Sequence, residues 1–266
     1  DGADPGHPQA LRHRQRCMSS TAASAQAPLL AADHVSKHFG ALVVLDGVDF
    51  EVGVSESVGI VGPNGAGKTT LLDVLAGAQA PTHGAVRLSG RDISRVGAAG
   101  RVRLGVGRSH QVPRPFGGMT VFENVLTGAF NGGRRRGRAA YEISTDALEQ
   151  TGLAAVANRR AETLGLLARK RLELARALAT DPKVLLLDEI AGGLTDEETV
   201  ALVSTIRDVR SRGVAVVWIE HIVHVLLQVA ERLVCMSQGR VIAAGEPRQV
   251  MSDPLVISTY LGSAPE

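Results

Sequence analysis

The sequence predicts an α/β fold: a mostly parallel sheet flanked by helices, with an antiparallel β subdomain on its N-terminal side and an inserted α-helical subdomain. Three observations carry the prediction. The runs KVLLLDE and VAVVWIE are short, apolar throughout and end in acid, as parallel strands buried on both faces do. A similar run, SVGIVG, stops at a glycine-rich turn that opens the helical pattern TTLLDVLAGAQ. The middle of the chain offers only helical patterns, TVFENVLTGAF, YEISTDALEQTGL and RKRLELARALAT, with no strand between them.

In chain order, residues 1–27 are rich in Ala, Ser, Gly, Pro, Gln and His without periodicity, and a disordered extension is expected there. Met18 lies inside it. Order is expected from LLAADHVSKHFG onward, and LVVLDGVDFEV alternates in part, as a half-buried antiparallel strand does. GAVRLSG and RVRLGVG read as two further short strands. The helical insertion is expected at about 112–178, inside one module spanning 28–266. TDEETVALVSTIRDVRSR reads as a helix between the two acid-ended strands, and LVCMSQGRVIAAG as a hairpin turning at SQGR. No internal repeat is seen, so one nucleotide module is expected.

Bulk properties narrow the setting. A chain of 266 residues, 44% hydrophobic and 21% charged, is long enough for a sizeable core. The net charge of +2 argues for no special partner. Cys17 and Cys235 lack Cys-x-x-Cys spacing, so neither a disulfide framework nor a zinc site is suggested. No apolar run reaches the roughly 18 residues that span a bilayer. A reducing cytoplasm is expected, with any membrane crossing left to another chain.

GPNGAGKT, running Gly62, Pro63, Asn64, Gly65, Ala66, Gly67, Lys68, Thr69, matches Gly-x4-Gly-Lys-Ser/Thr. It follows an apolar strand and opens the helical pattern that begins at Thr69, the context that makes such a match specific; Thr70 is expected among the ATP-binding residues with the loop. Gly65 and Gly67 let backbone N–H groups turn inward around anionic oxygens, and the helix N-terminus adds partial positive charge. Lys68 is expected on the β and γ phosphates and Thr69 on Mg²⁺. This marks a P-loop NTPase core. Such a loop needs a second metal anchor and a group to position water. Asp188, at the exit of KVLLLDE, suits the first role, and Glu189 suits the second as a base. VAVVWIEH ends in Glu220 and His221, and a histidine at that strand tip can contact the γ-phosphate.

With this set assembled, the chain resembles the ATP-binding cassette family from about residue 28 to the end. Phe39 sits where that family stacks an aromatic on adenine, and Gln111, in GRSHQVPRPF, where its Q-loop glutamine joins Mg²⁺ and water to the helical insertion. Glu189 matches the catalytic glutamate and His221 the switch histidine. PFGGMTVFENV, the IEH triplet and GEPRQVMSDPLVISTYLGS are similar to cassettes of branched-chain amino acid importers. The resemblance implies Mg-ATP hydrolysis coupled to import of such amino acids or a related small organic solute. It implies a second cassette, transmembrane permease subunits, an extracytoplasmic solute-binding protein and a place on the inner face of the cell membrane. A soluble non-transport ATPase, or a weakly hydrolysing cassette, is the alternative.

One motif departs from the family. Its Leu-Ser-Gly-Gly-Gln signature is replaced by Leu164-Gly165-Leu166-Leu167-Ala168, ahead of a well-matched helix. In the family this segment acts in trans, on the nucleotide of the partner cassette. The serine hydroxyl is gone, and a hydrogen bond to a charged group is worth roughly 1.5–3 kcal/mol. The expectation is an intact nucleotide face and a weakened trans face. Ile190 also stands where proline is usual. The basic run NGGRRRGR, Asn131 to Arg138, is expected to be a solvated loop; nucleic acid is not expected, since no aromatics interleave the arginines.

Overall fold

The computed structural model describes residues 27–109 and 112–261. The expected disordered extension therefore falls almost wholly outside the described residues.

A four-stranded antiparallel sheet forms first. It contains β1 (Leu30–Phe39), β2 (Leu42–Val52), β4 (His83–Leu88) and β5 (Arg91–Asp92), in the order β2-β1-β4-β5. The second sheet is built from β3 (Ser57–Val61), β6 (Val106–Arg108), β7 (Val184–Asp188), β8 (Ala215–Ile219), β9 (Arg232–Ser237) and β10 (Arg240–Gly245). Its order is β10-β9-β3-β8-β7-β6, parallel except for the β9–β10 hairpin.

The apolar runs become strands buried on both faces, because side chains alternate about the pleat. Leu185 and Leu187 of β7, with Val216 and Trp218 of β8, enter one core; Val184, Leu186, Ala215, Val217 and Ile219 enter the other. The first core is shared with α3 (Val121–Asn131), α4 (Gly137–Gln150), α5 (Leu166–Leu178) and α6 (Asp196–Ser211). The second is shared with β1, β2 and α1 (Lys68–Ala76). Short helices α7 (Val223–Leu226), α8 (Pro247–Ser252) and α9 (Pro254–Leu261) close the C-terminal side. Capping boxes start α3, at Thr120 and Glu123, and α6, at Thr195 and Glu198. Each satisfies two backbone donors of the first turn.

RVRLGVG is corrected. Its first half is the end of α2 (Ala98–Leu104), and only Val106–Arg108 is a strand. Arg101 is the reason. It is fully buried and donates to the carbonyls of Val74 and Leu75 at the end of α1, and to Val96 and Ile93. That geometry needs a helix lying across the end of α1. Burial pushes the Arg101 guanidinium down to about 10. Helices α3, α4 and α5 lie between β6 and β7. The arginine loop is exposed there, with Arg135 paired to Asp181 at 2.5 Å and Arg138 to Glu142 at 2.7 Å.

Candidate active site

The sheet order brings the chemistry together. β3, which runs into the glycine loop, pairs with β8, and β8 pairs with β7; Ile219 faces Ile60 on one side and Asp188 on the other. Three strand ends, at Gly62, Glu220 and Glu189, therefore meet at one edge. Ligands of open α/β sheets bind at that carboxyl edge.

The loop between β3 and α1 is shaped by two glycines. Gly62 has φ 148°, and a Cβ there would lie 2.2 Å from the Met236 carbonyl oxygen. Gly67 caps α1 with φ 97°, and a Cβ there would lie 2.9 Å from the Val44 carbonyl oxygen. A cavity of about 240 Å³ opens above the loop, lined by Asn64, Gly65, Ala66, Gly67, Lys68, Thr69, Thr70, Val44 and Glu189. Lys68 is buried, and its ammonium donates to the Gly62 and Pro63 carbonyls at 2.7 and 2.9 Å. Burial lowers its pKa, opposed by the charges of Glu189 and Asp188. An arriving polyphosphate would exchange those carbonyls for anionic oxygens.

The Thr69 hydroxyl lies 3.5 Å from Asp188 Oδ1. Burial raises the Asp188 carboxyl, and the nearby Arg108 guanidinium opposes the shift. Arg108 pairs with Asp73 of α1 and lies 3.5 Å from the other oxygen of Asp188. Glu189 stands at φ 47°, and His221 Nε2 lies 2.6 Å from its Oε1. The set is a cationic phosphate cradle, a hydroxyl–carboxylate pair beside it and a carboxylate–imidazole pair at its mouth. That set fits hydrolysis of a nucleoside triphosphate.

Comparison with known proteins decides the family. The profile described as "ABC transporter" matches residues 45–192. The chain belongs to the ABC transporter family. Among curated relatives it is similar to the "High-affinity branched-chain amino acid transport ATP-binding protein BraF" of Pseudomonas aeruginosa: 37% identical, over 89% of this chain and 99% of that protein. LivG of Escherichia coli, described in the same words, is 36% identical over 89% and 99%. A "Lipopolysaccharide export system ATP-binding protein LptB" of Acidithiobacillus ferridurans is 34% identical over 88% and 97%. Among solved structures, a nucleotide-free ATP-binding cassette from an ABC transporter superposes with a TM-score of 0.82 at 29% identity, covering 89% of this chain and 100% of the other. The ADP conformation of the cassette MJ1267 does so with the same score and identity, over 90% and 100%.

The cassette is thus an ATP-binding, ATP-hydrolysing subunit of an ABC transporter. Cassettes of this family dimerise and work with transmembrane permeases. Among the described residues no helix is long and apolar enough to cross a membrane.

The remaining expected positions are placed as follows. Phe39 is 46% exposed at the end of β1, with the Lys37 ammonium 4.9 Å above its ring. It lies beyond the cavity lining, where Val44 of β2 takes the contact with the loop. Gln111 lies outside the described residues. In the signature segment, Leu164 is buried in the core that α3, α4, α5 and α6 share with β7 and β8, its side chain turned away from solvent. Gly165 is the N-cap of α5, without a side-chain cap. Leu166 is 46% exposed, while Leu167 and Ala168 are half-buried.

Sequence reading missed Arg108, Val44, Lys170 and the structural part of Glu220. Arg108 ends a strand only three residues long, too short to show a pattern. Glu220 carries a usable signal, an acid directly continuing an apolar run, whereas Lys170, between Arg169 and Arg171, looks like any other charge of its helix.

Proposed function

We propose that this cassette powers import of branched-chain amino acids or a related small organic solute, from the cytoplasmic face of a membrane. The solute reading is supported by relatives with that printed role, similar across 99% of their length. The mechanism rests on one observation: the Glu189 carboxylate, held at 2.6 Å by His221, faces a cavity floored by Lys68 and Thr69.

In this reading loop N–H groups and Lys68 bind the β and γ phosphates of ATP. Thr69 and Asp188 fit Mg²⁺: a hydroxyl and a carboxylate, hard oxygen donors, converge beside the phosphate cradle. Bound there, the ion would neutralise charge developing on the phosphoryl group. Glu189 orients water and takes its proton, His221 positions Glu189 and reads the γ-phosphate, and Phe39 stacks on the base. Gln111 links the site to the insertion. Catalysis is mostly positioning and charge stabilisation.

The segment Leu164 to Ala168 meets the nucleotide of a second cassette through Gly165 to Ala168, with Leu164 anchoring it in the core. A groove of about 450 Å³ between α2 and α3, with Phe116 and Met119 exposed along it, takes the permease subunit. A solute-binding protein outside the membrane supplies the amino acid.

The test is reconstitution with the permease subunits in vesicles. ATP-dependent uptake of leucine is expected; uptake of a solute from another chemical class in its place overturns the solute. Glu189→Gln should keep ATP binding and lose about 10²–10⁴-fold in turnover; wild-type turnover overturns the base. Gly165 and Leu166 at the start of α5 favour one second reading, a low-turnover cassette. Wild-type turnover rates typical of the family exclude it.

A further inference from the structure

Glu189 occupies the left-handed region at φ 47°, which a residue with a Cβ disfavours. Such strain persists where the surroundings over-determine it, and it clusters at functional sites. The surroundings can be named. On the upstream side, the Glu189 N–H donates to the Ile219 carbonyl at 2.9 Å. On the downstream side, the peptide joining Ile190 to Ala191 is held at both ends. Lys170 Nζ donates to its carbonyl oxygen at 2.8 Å, and its N–H donates to Glu220 Oε1 at 2.7 Å.

The two grips are themselves fixed. Lys170 also donates to the Gly192 carbonyl at 2.6 Å. The Trp218 indole donates to the same Glu220 oxygen at 3.1 Å. Lys170 is 6% exposed and Glu220 2%. Burial lowers the Lys170 pKa and raises that of Glu220, so each charged form is held against a desolvation cost. Ile190 and Ala191 already bury their side chains in the core. Apolar packing alone would anchor this loop at less cost. What the charged groups add is direction: they orient one peptide group, the first one after the residue that follows the candidate base.

We infer that Lys170 of α5 and Glu220, just beyond β8, are positioning residues for Glu189: they clamp the Ile190–Ala191 peptide and so hold Glu189 in its strained conformation, with its carboxylate against His221 and toward the loop. The inference rests on the reading of Glu189 as the base. Neither residue lines the cavity above the glycine loop. Loss of either grip lets Glu189 relax to an ordinary backbone conformation and swing its carboxylate off line. A displacement of about 1 Å at a reacting group is worth on the order of 10²-fold in rate.

The experiment measures ATP turnover, Mg-ATP affinity and thermal midpoint in the full-length chain. Lys170→Met and Glu220→Ala should each lower kcat about 10²-fold, with Mg-ATP affinity within about threefold of wild type, since uniform binding is untouched. Lys170→Arg, which can reach the same carbonyls, should recover most of the turnover. Glu220→Gln keeps an oxygen acceptor at Oε1 and should stay near wild type. Wild-type kcat in Lys170→Met and Glu220→Ala overturns the inference, as does a loss shared equally by Glu220→Gln and Glu220→Ala. Loss of affinity and thermal midpoint in step with kcat in both also overturns it, because that marks general damage to the fold. If Lys170→Met does not fold, the two Glu220 variants decide alone. Glu189→Gln is measured alongside: normal turnover there removes the base reading, whereas a slow Glu189→Gln with a fast Lys170→Met removes only the clamp.

Discussion

The Thr69 hydroxyl and the Asp188 carboxylate lie 3.5 Å apart although 119 positions separate them in the chain. Strand order makes this meeting possible: the β3 loop and the end of β7 reach one sheet edge with β8 between them. A hydroxyl and a carboxylate at that spacing accept one hard cation between them.

The first prediction concerns that pair. Asp188→Asn should keep the fold and lose Mg²⁺-dependent tightening of ATP binding. Equilibrium binding of labelled ATP with and without Mg²⁺ checks this directly, independent of turnover. An undiminished Mg²⁺ response would place the cation elsewhere.

A second prediction separates two glycines. Gly62→Ala forces a Cβ onto the Met236 carbonyl oxygen at 2.2 Å, in a backbone region closed to side chains. It should cost about 2–3 kcal/mol of stability and abolish ATP binding. Gly165→Ala meets nothing within 4 Å and sits at φ −68°, so its stability from urea melts should fall by no more than about 1 kcal/mol, the cost of alanine at a helix N-cap. Equal losses in the two variants would contradict the backbone account.

Gly165→Ser tests the weakened trans face. The serine adds a side-chain acceptor at a helix start that has none, worth a few tenths of a kcal/mol relative to glycine. It also returns a hydroxyl donor to the segment proposed to face the partner's nucleotide. Turnover of the paired cassettes should rise about tenfold or more. No rise in ATPase rate would show that the missing hydroxyl does not limit this cassette.

Glu220 gives a pH prediction with a definite sign. Burial raises its folded-state pKa above the ordinary 4.5, against the hydrogen bonds from Ala191 and Trp218. Folding therefore favours the protonated form. The cost of the ionised form is absent below the ordinary carboxylate range and grows as pH rises through the folded-state value. Glu220→Gln removes that charge. Its stability relative to wild type, from urea melts, should increase between acidic and neutral pH. A pH-independent difference would contradict the shift.

The sequence by itself determined the parts whose physics is contiguous. GPNGAGKT specifies a phosphate loop because its glycines, lysine and threonine act on one ligand from neighbouring positions. KVLLLDE and VAVVWIE announce doubly buried strands, since continuous apolarity leaves no solvent face.

Tertiary structure decided the rest. RVRLGVG has no period that separates strand from helix; a fully buried Arg101 tying α2 to the end of α1 settles it. The contact of His221 with Glu189, the bridge from Arg108 to Asp188 and the grip of Lys170 on the loop after the base each join residues from different elements. Which strand lies beside which is set by packing of whole faces, and no local pattern encodes it. A side chain's role in such a contact is fixed only when the partner it meets is fixed.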